Sequence, residues 1–189
     1  MDSETLVKNA KAFINAPTCY EKGFWGQRMT QAEYDRVLKM YPGNNSYGNQ
    51  KLIGTDVFPF DCICFLKCLL AGGNVNRRLT YGEMKSNPLG DCTNKAFLES
   101  LYDCVPIDKA KAGYGLATEK HCALSLGNGE WIDCNFDMYG QNGVAIHSTG
   151  SGIFTKCGKI PGIIYNEETD EIMDFLKWLR EKYRKETGL

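Results

Sequence analysis

Two segments in the N-terminal part of the chain carry apolar residues at helical spacing. In residues 3–14, SETLVKNAKAFI, the apolar side chains fall on one face, Ser3 can cap the segment, and Pro17 follows its end. Residues 30–40, TQAEYDRVLKM, show the same spacing after Thr30. Both segments are therefore predicted to be amphipathic helices that pack one face on a core.

A third segment, residues 60–73, has the sequence FDCICFLKCLLAGG and is almost wholly apolar. A helix that is apolar on all sides is buried, and the pair Gly72-Gly73 is typical of a helix end. We expect a buried helix in the middle of the chain.

The second half of the chain favours strands. Three short segments of β type, at residues 121–127, 130–136 and 143–149, are separated by Gly-containing turns, of which the GNG at 127–129 predicts a hairpin. Residues 158–165, GKIPGIIY, are predicted to be the last strand. Helices followed by an antiparallel sheet define an α+β fold.

Three other segments complete the predicted elements. Residues 94–103 predict a short helix, and residues 110–120, AKAGYGLATEK, predict a loop. Residues 167–187 predict a charged amphipathic helix. Its apolar stripe consists of Ile172, Phe175, Leu176, Leu179 and Tyr183.

Composition narrows the classes of function. A chain of 189 residues suits one domain, and a formal net charge of −1 favours neither nucleic acid nor an anionic membrane as the main partner. No apolar run is long enough to span a bilayer, and the N-terminus lacks the pattern of a secretory signal. Nine cysteines, an odd number without a signal peptide, argue against a complete disulfide framework.

Cys62 lies at the predicted start of the buried helix, where the helix dipole and free N–H groups favour a thiolate and can bind an oxyanion. His121 opens the first strand of the hairpin, and Asp133 follows twelve positions later on the second strand. Residues near the open ends of a hairpin lie side by side, so Asp133 can orient the His121 ring. A cysteine, a base and an orienting acid form a nucleophilic triad of the papain-like type.

Other uses of these residues remain open. Cys62, Cys64, Cys68, Cys122 and His121 are suitable zinc ligands by type, although no Cys-x2-Cys pair is present. The missing Cys-x-x-Cys also argues against a redox site. Cys62 can instead be a core residue, as Cys64 and Cys68 are expected to be, Asp133 can be a solvated acid, and His147 is the competing base.

Several segments resemble the NlpC-type cell-wall cysteine peptidases, most closely the phage-type members. FDCICFLK resembles the family's nucleophile motif, Asp-Cys-Ser-Gly before an apolar helix, and HCALSLGNGEWIDC resembles its histidine motif. YEKGFWGQRMT with YPG resembles the segment before the nucleophile, and NGVAIHS and GKIPGIIY resemble the closing strands. The resemblance covers roughly residues 5–165 in the family's order.

The resemblance implies a papain-like fold, with N-terminal helices and a buried nucleophile helix packed on an antiparallel sheet. It implies hydrolysis of the γ-D-glutamyl–diamino acid amide in peptidoglycan stem peptides, without metal or cofactor. Cys62, His121 and Asp133 would be catalytic, and Asp61, Tyr20 and Ile63 would bind substrate. Residues 1–165 would form the catalytic domain and 166–189 an accessory helix. We expect a monomer that acts at the cell wall or outside the cell, by an export route that the sequence does not indicate.

The match to the family's motifs is incomplete. The usual Ser-Gly after the nucleophile is Ile63-Cys64, the usual Gly before the histidine is Lys120, and residue 123 is Ala where Gly is common. Two alternatives therefore stay open. One is a weakly active or inactive module that binds wall peptides, and the other is a thiol amidase for another γ-glutamyl amide or a host amide.

Overall fold

The computed structural model describes residues 1–136, 142–148, 153–166 and 178–180. These residues form a mixed α+β fold, as the sequence predicts, with several helices and a five-stranded antiparallel sheet. The helices are α1 (Ser3–Ala12), α2 (Gln31–Met40), α3 (Cys62–Leu70), α4 (Tyr81–Lys85) and α5 (Asn94–Ser100). The strands are β1 (Thr18–Tyr20), β2 (Phe58–Phe60), β3 (Gly115–Ala117), β4 (Cys122–Gly127), β5 (Glu130–Phe136), β6 (Asn142–Ser148) and β7 (Lys156–Gly158).

The predicted helices form with side-chain caps at their N-termini. The cap of α1 is Asp2 rather than the predicted Ser3, since its carboxylate accepts the Thr5 N–H at 2.7 Å. Thr30 caps α2 as predicted by accepting the Glu33 N–H. Each cap satisfies a backbone donor that has no partner inside its helix.

Helix α3 is buried along its whole length, as its apolar sequence predicts. It begins after the cap Asp61 and ends at Leu70, and Gly72 takes the left-handed conformation that follows many helix ends, with φ of 82°. The helix packs against α1, β4 and β5 in the largest apolar cluster of the described residues. The N-terminus of α3 is therefore held firmly against the sheet.

The large sheet has the strand order β6-β5-β4-β3-β7. Strands β4 and β5 form the predicted hairpin, in which Asn128 and Gly129 have positive φ values of 54° and 78°. One face of these strands carries Cys122, Leu124, Ile132 and Cys134 against α3, and the other face packs Ala123 and Trp131 into a second cluster. Both faces of the hairpin are thus buried.

Three features of the strands differ from the expectations. Residues 110–120 were predicted to be a loop, which is wrong in part because β3 lies within them and pairs with both β4 and β7. The last strand of the sheet is β7, which precedes most of the predicted strand at 158–165 and stops before the turn at Pro161 and Gly162. The third is the parallel pair of β1 and β2, which the sequence did not indicate.

The predicted helix at 167–187 lies outside the described residues, except that residues 178–180 are helical. In the part of the chain that the structure describes, no helix has the length and apolar character needed to cross a membrane.

Candidate functional site

Cys62 is the first residue of α3 and lies at the wall of a surface groove. Its cap Asp61 accepts the Cys64 N–H at 2.7 Å and the Gly23 N–H at 2.8 Å. The first N–H groups of a helix have no acceptor within it, and the helix dipole places partial positive charge there. The Cys62 sulfur therefore lies where a thiolate is stabilised.

His121 and Asp133 are brought together by the hairpin. Leu124 pairs with Ile132, so the register places Asp133 opposite Ala123, and His121 is the next residue toward the open end on the same face. Nε2 of His121 lies 2.5 Å from Oδ2 of Asp133. Because a carboxylate only accepts hydrogen bonds, Nε2 carries the proton and Nδ1 is left for the cysteine.

The three groups shift one another's pKa values in the direction that an ion pair requires. A hydrogen bond from the Cys122 thiol holds the pKa of Cys62 well below its usual value. Burial opposes this shift, and His121 adds to it. Burial would lower the pKa of His121, but hydrogen bonds to Asp133 and Cys62 raise it to about 10. Burial would raise the pKa of Asp133, yet its bonds to His121 and His147 lower it. Both the lowered pKa of Cys62 and the raised pKa of His121 act in the direction of a thiolate facing an imidazolium.

His147, the competing base, approaches Asp133 from the opposite side. It lies on β6, which β5 separates from β4, and its Nε2 is 3.3 Å from Oδ1 of Asp133. The side chain of Asn135 donates to the same oxygen at 2.7 Å, and the His147 ring packs on Trp131 at 4.4 Å between centroids. These contacts make His147 a support for the Asp133 carboxylate.

The groove beside Cys62 has a volume of about 1240 Å³ and is lined mainly by residues of the N-terminal half. The three residues for which the resemblance implies substrate binding, Asp61, Tyr20 and Ile63, all line it. Tyr20 packs edge-on against Tyr47 with ring centroids 5.3 Å apart. Burial, followed by the negative charge of Cys62, raises the pKa of Asp61 to about 6. Asp61 thus combines a capping role with a place on the groove wall.

The other cysteines of α3 differ chemically from Cys62. Burial raises the pKa of Cys64 well above its usual value, and that of Cys68 to about 12. All nine cysteines are free thiols. Among the described residues, no group of three or more His, Cys, Asp or Glu side chains could hold a metal ion.

Asn94 at the start of α5 is a site residue that the sequence analysis did not identify. Its Nδ2 lies 3.4 Å from Sγ of Cys62 and 2.9 Å from the Lys120 carbonyl oxygen. No sequence pattern indicated this contact, because Asn94 follows Cys62 by 32 positions and opens an ordinary short helix. Only the packing of α5 near the hairpin brings it to the thiol.

No protein-family model matches this chain, and no curated protein matches it.

Proposed function

We propose that this protein is a papain-like cysteine peptidase that hydrolyses the γ-D-glutamyl–diamino acid amide of peptidoglycan stem peptides. The observation that carries the proposal is the arrangement of His121 and Asp133 behind Cys62, which lines the groove. The choice of substrate comes from the motifs that resemble the NlpC-type peptidases.

The arrangement supports a two-step reaction. The Cys62 thiolate attacks the amide carbonyl, and its sulfur forms a thioester as the C–N bond breaks and His121 passes a proton to the leaving amine. Water, deprotonated by His121, then attacks the thioester, which releases the γ-D-glutamyl carboxylate and restores the Cys62 sulfur. Asp133 keeps the His121 ring in the orientation that both steps need.

The charges of the groove agree with an acidic peptide. Its lining contains the basic residues Lys22, Arg28, Arg36, Lys67 and Lys120, and the acidic residues Glu33, Asp61 and Asp91. Glu33 is paired with Arg36 and Asp91 with Lys67, each at 2.8 Å. The remaining basic residues of the lining, Lys22, Arg28 and Lys120, outnumber its one remaining acidic residue, Asp61. A stem peptide carries the α-carboxylate of D-glutamate and a carboxylate on its diamino acid, which this balance of charge favours.

Mass spectrometry of stem peptides tests the proposal. L-Ala-γ-D-Glu-diamino acid, with and without terminal D-Ala, is incubated with reduced wild-type protein, Cys62→Ala and Cys64→Ala. Cys64 is the matched control, because it lies on the same helix and lines the same groove. Release of L-Ala-γ-D-Glu by wild type and Cys64→Ala, but not by Cys62→Ala, is expected.

The two alternative functions give different results in this experiment. Binding of the peptides or of whole sacculi without cleavage by folded wild-type protein would support a binding module. If the protein neither binds nor cleaves these peptides, its substrate would be another amide. The first residues to substitute would then be Ile63 and Cys64, which line the groove and stand where the NlpC-type motif has the smaller Ser and Gly.

A further inference from the structure

The side-chain amide of Asn94 bridges the sulfur of Cys62 and the backbone next to His121. Nδ2 lies 3.4 Å from Sγ of Cys62 and 2.9 Å from the carbonyl oxygen of Lys120. The Oδ1 atom lies farther from the sulfur, at 3.7 Å. Asn94 therefore contacts the reacting atom and the segment that carries the base.

The orientation of this amide is fixed by its second partner. The Lys120 carbonyl oxygen can only accept a hydrogen bond, so the Asn94 nitrogen, and not its oxygen, must face it. The nitrogen has two protons about 120° apart, and with one directed at Lys120 the other is available to the sulfur. A thiolate at Cys62 would accept this bond, whereas a thiol can also donate to Oδ1.

The surroundings hold Asn94 and Lys120 in place. Asn94 is the first residue of α5, whose cap is supplied separately by Thr93 through its bond to the Ala96 N–H. Thr118 accepts the backbone N–H groups of Lys120 and His121 at 3.1 and 2.9 Å. Substitution of Asn94 therefore leaves the helix cap and most bonds of the 118–121 segment intact.

We propose that Asn94 is a fourth catalytic residue, whose amide donates a hydrogen bond to the Cys62 thiolate and aligns it with His121. The proposal rests on Cys62 being the nucleophile of the proposed peptidase. A neutral donor of this kind stabilises the attacking anion without changing charge over the working pH range.

Three variants and one control separate this role from a structural one. Asn94→Ala removes the donor, Asn94→Asp keeps the shape but places a carboxylate beside the sulfur, and Asn94→Gln retains an amide. Lys95→Ala is the control, because Lys95 is the exposed next residue of the same helix. The rate of Cys62 alkylation by iodoacetamide is measured against pH for each, together with kcat and KM on a stem peptide.

The expected result is an ordered change in thiol reactivity. The midpoint of the alkylation profile should move up by about one pH unit in Asn94→Ala, and further in Asn94→Asp, where a carboxylate opposes the thiolate. The kcat should fall about 10- to 100-fold in Asn94→Ala with KM nearly unchanged, since the lost hydrogen bond is one to the attacking sulfur. Asn94→Gln should recover part of the loss, and Lys95→Ala should match wild type.

Profiles of Asn94→Ala and Asn94→Asp that superpose on the wild-type profile would overturn the role. Alkylation needs no peptide, so the two proposals can fail separately. A shifted profile without cleavage of any stem peptide would retain the role of Asn94 and reject the substrate. Cleavage by wild type together with unshifted profiles would support the peptidase and reject the role of Asn94.

Discussion

His121 donates its Nε2 proton to Oδ2 of Asp133 across 2.5 Å, and this bond leaves Nδ1 as the nitrogen that can exchange a proton with Cys62. The side chain of Asp133 is fully buried, while that of His121 is 18% exposed. Asp133 thus holds the His121 ring from inside the protein. The same carboxylate also accepts a hydrogen bond from the Asn135 side chain, and the Nε2 atom of His147 lies 3.3 Å from the same oxygen, Oδ1.

Removal of the Asp133 charge should slow the reaction without removing the nucleophile. In Asp133→Asn the amide no longer requires the Nε2–H tautomer, and the pKa of His121 loses the support of a buried carboxylate. The kcat/KM on a stem peptide should fall about 10²- to 10⁴-fold. Steady-state kinetics measures this loss, and circular dichroism checks the fold.

His147→Gln is the matched comparison for Asp133→Asn, because it removes a neighbour of the same carboxylate but leaves the His121 bond. Its loss of kcat/KM should be at least tenfold smaller. An equal or greater loss would mean that His147, and not His121, works with Asp133.

Activity should depend on pH through the Cys62–His121 ion pair. The pKa of Cys62 lies well below its usual value and that of His121 is raised to about 10, so the pair exists between the two values. The kcat/KM should therefore rise at acidic to neutral pH, as the thiol ionises, and fall near pH 10, as the imidazolium is lost.

The rate of Cys62 alkylation measures how readily its thiolate forms beside His121, and this measurement needs no substrate. In His121→Asn the midpoint of thiolate formation should move upward by more than one unit, because the cationic partner is gone. Peptide mapping after a short iodoacetamide pulse at pH 7 should find label on Cys62 ahead of Cys64 and Cys68, whose pKa values are raised by burial. Equal labelling of all three would contradict the assignment.

Glu21 should make the protein less stable as the pH rises. Its side chain is fully buried, and neither carboxylate oxygen has a hydrogen-bond partner within the described residues. Burial raises the pKa of Glu21 to about 7, although the nearby Asn49 side chain favours the ionised form. The folded state therefore keeps its proton over a range in which the unfolded state has lost it, between about pH 4.5 and 7.

Glu21→Gln should remove this dependence. Because the wild-type free energy of unfolding falls as pH rises through that window, the variant should be more stable than wild type by about 1 to 3 kcal/mol at pH 8, with little gain at pH 4.5. Urea unfolding at both pH values measures the difference. Glu99→Gln, a change at an exposed position, serves as the control, and a similar gain there would count against the explanation.

The elements with strong local patterns could be predicted from the sequence. The uniformly apolar helix α3 and the hairpin of β4 and β5 follow from residue spacing and from the Asn128-Gly129 turn. The hairpin register then brings His121 and Asp133 together, because a two-strand pairing fixes which residues are neighbours. Such features depend on residues that are close in sequence.

The features that the sequence did not predict depend on contacts between residues that are far apart in the sequence. Strand β3 has only three residues and contains Gly115, so its extended conformation comes from its two neighbouring strands and not from local preference. Gly115 lies close to Phe97 and Leu101, where an added Cβ would come within 2.7 Å of both side chains. The contact of Asn94 with Cys62 is likewise tertiary, and the spacing of the two residues carries no pattern.

Asp61 gives a test that separates a structural role from substrate recognition. Its two carboxylate oxygens each accept a backbone N–H, from Cys64 and from Gly23, so Asp61→Ala should lower the free energy of unfolding by about 1 to 2 kcal/mol. Asp61→Asn keeps one acceptor and should lose less. Urea unfolding measures both changes.

Recognition is measured with a pair of peptides that differ only at the N-terminus. If Asp61 binds the free α-amine of the stem's L-Ala, as the resemblance implies, wild type should cleave the free peptide faster than its N-acetylated form. Asp61→Asn should reduce that preference by about tenfold, because a carboxylate–ammonium bond is replaced by a neutral one. A preference that persists in Asp61→Asn would restrict Asp61 to capping α3 and shaping the groove. Since the variant retains the cap better than Asp61→Ala, a lost preference could not be attributed to unfolding.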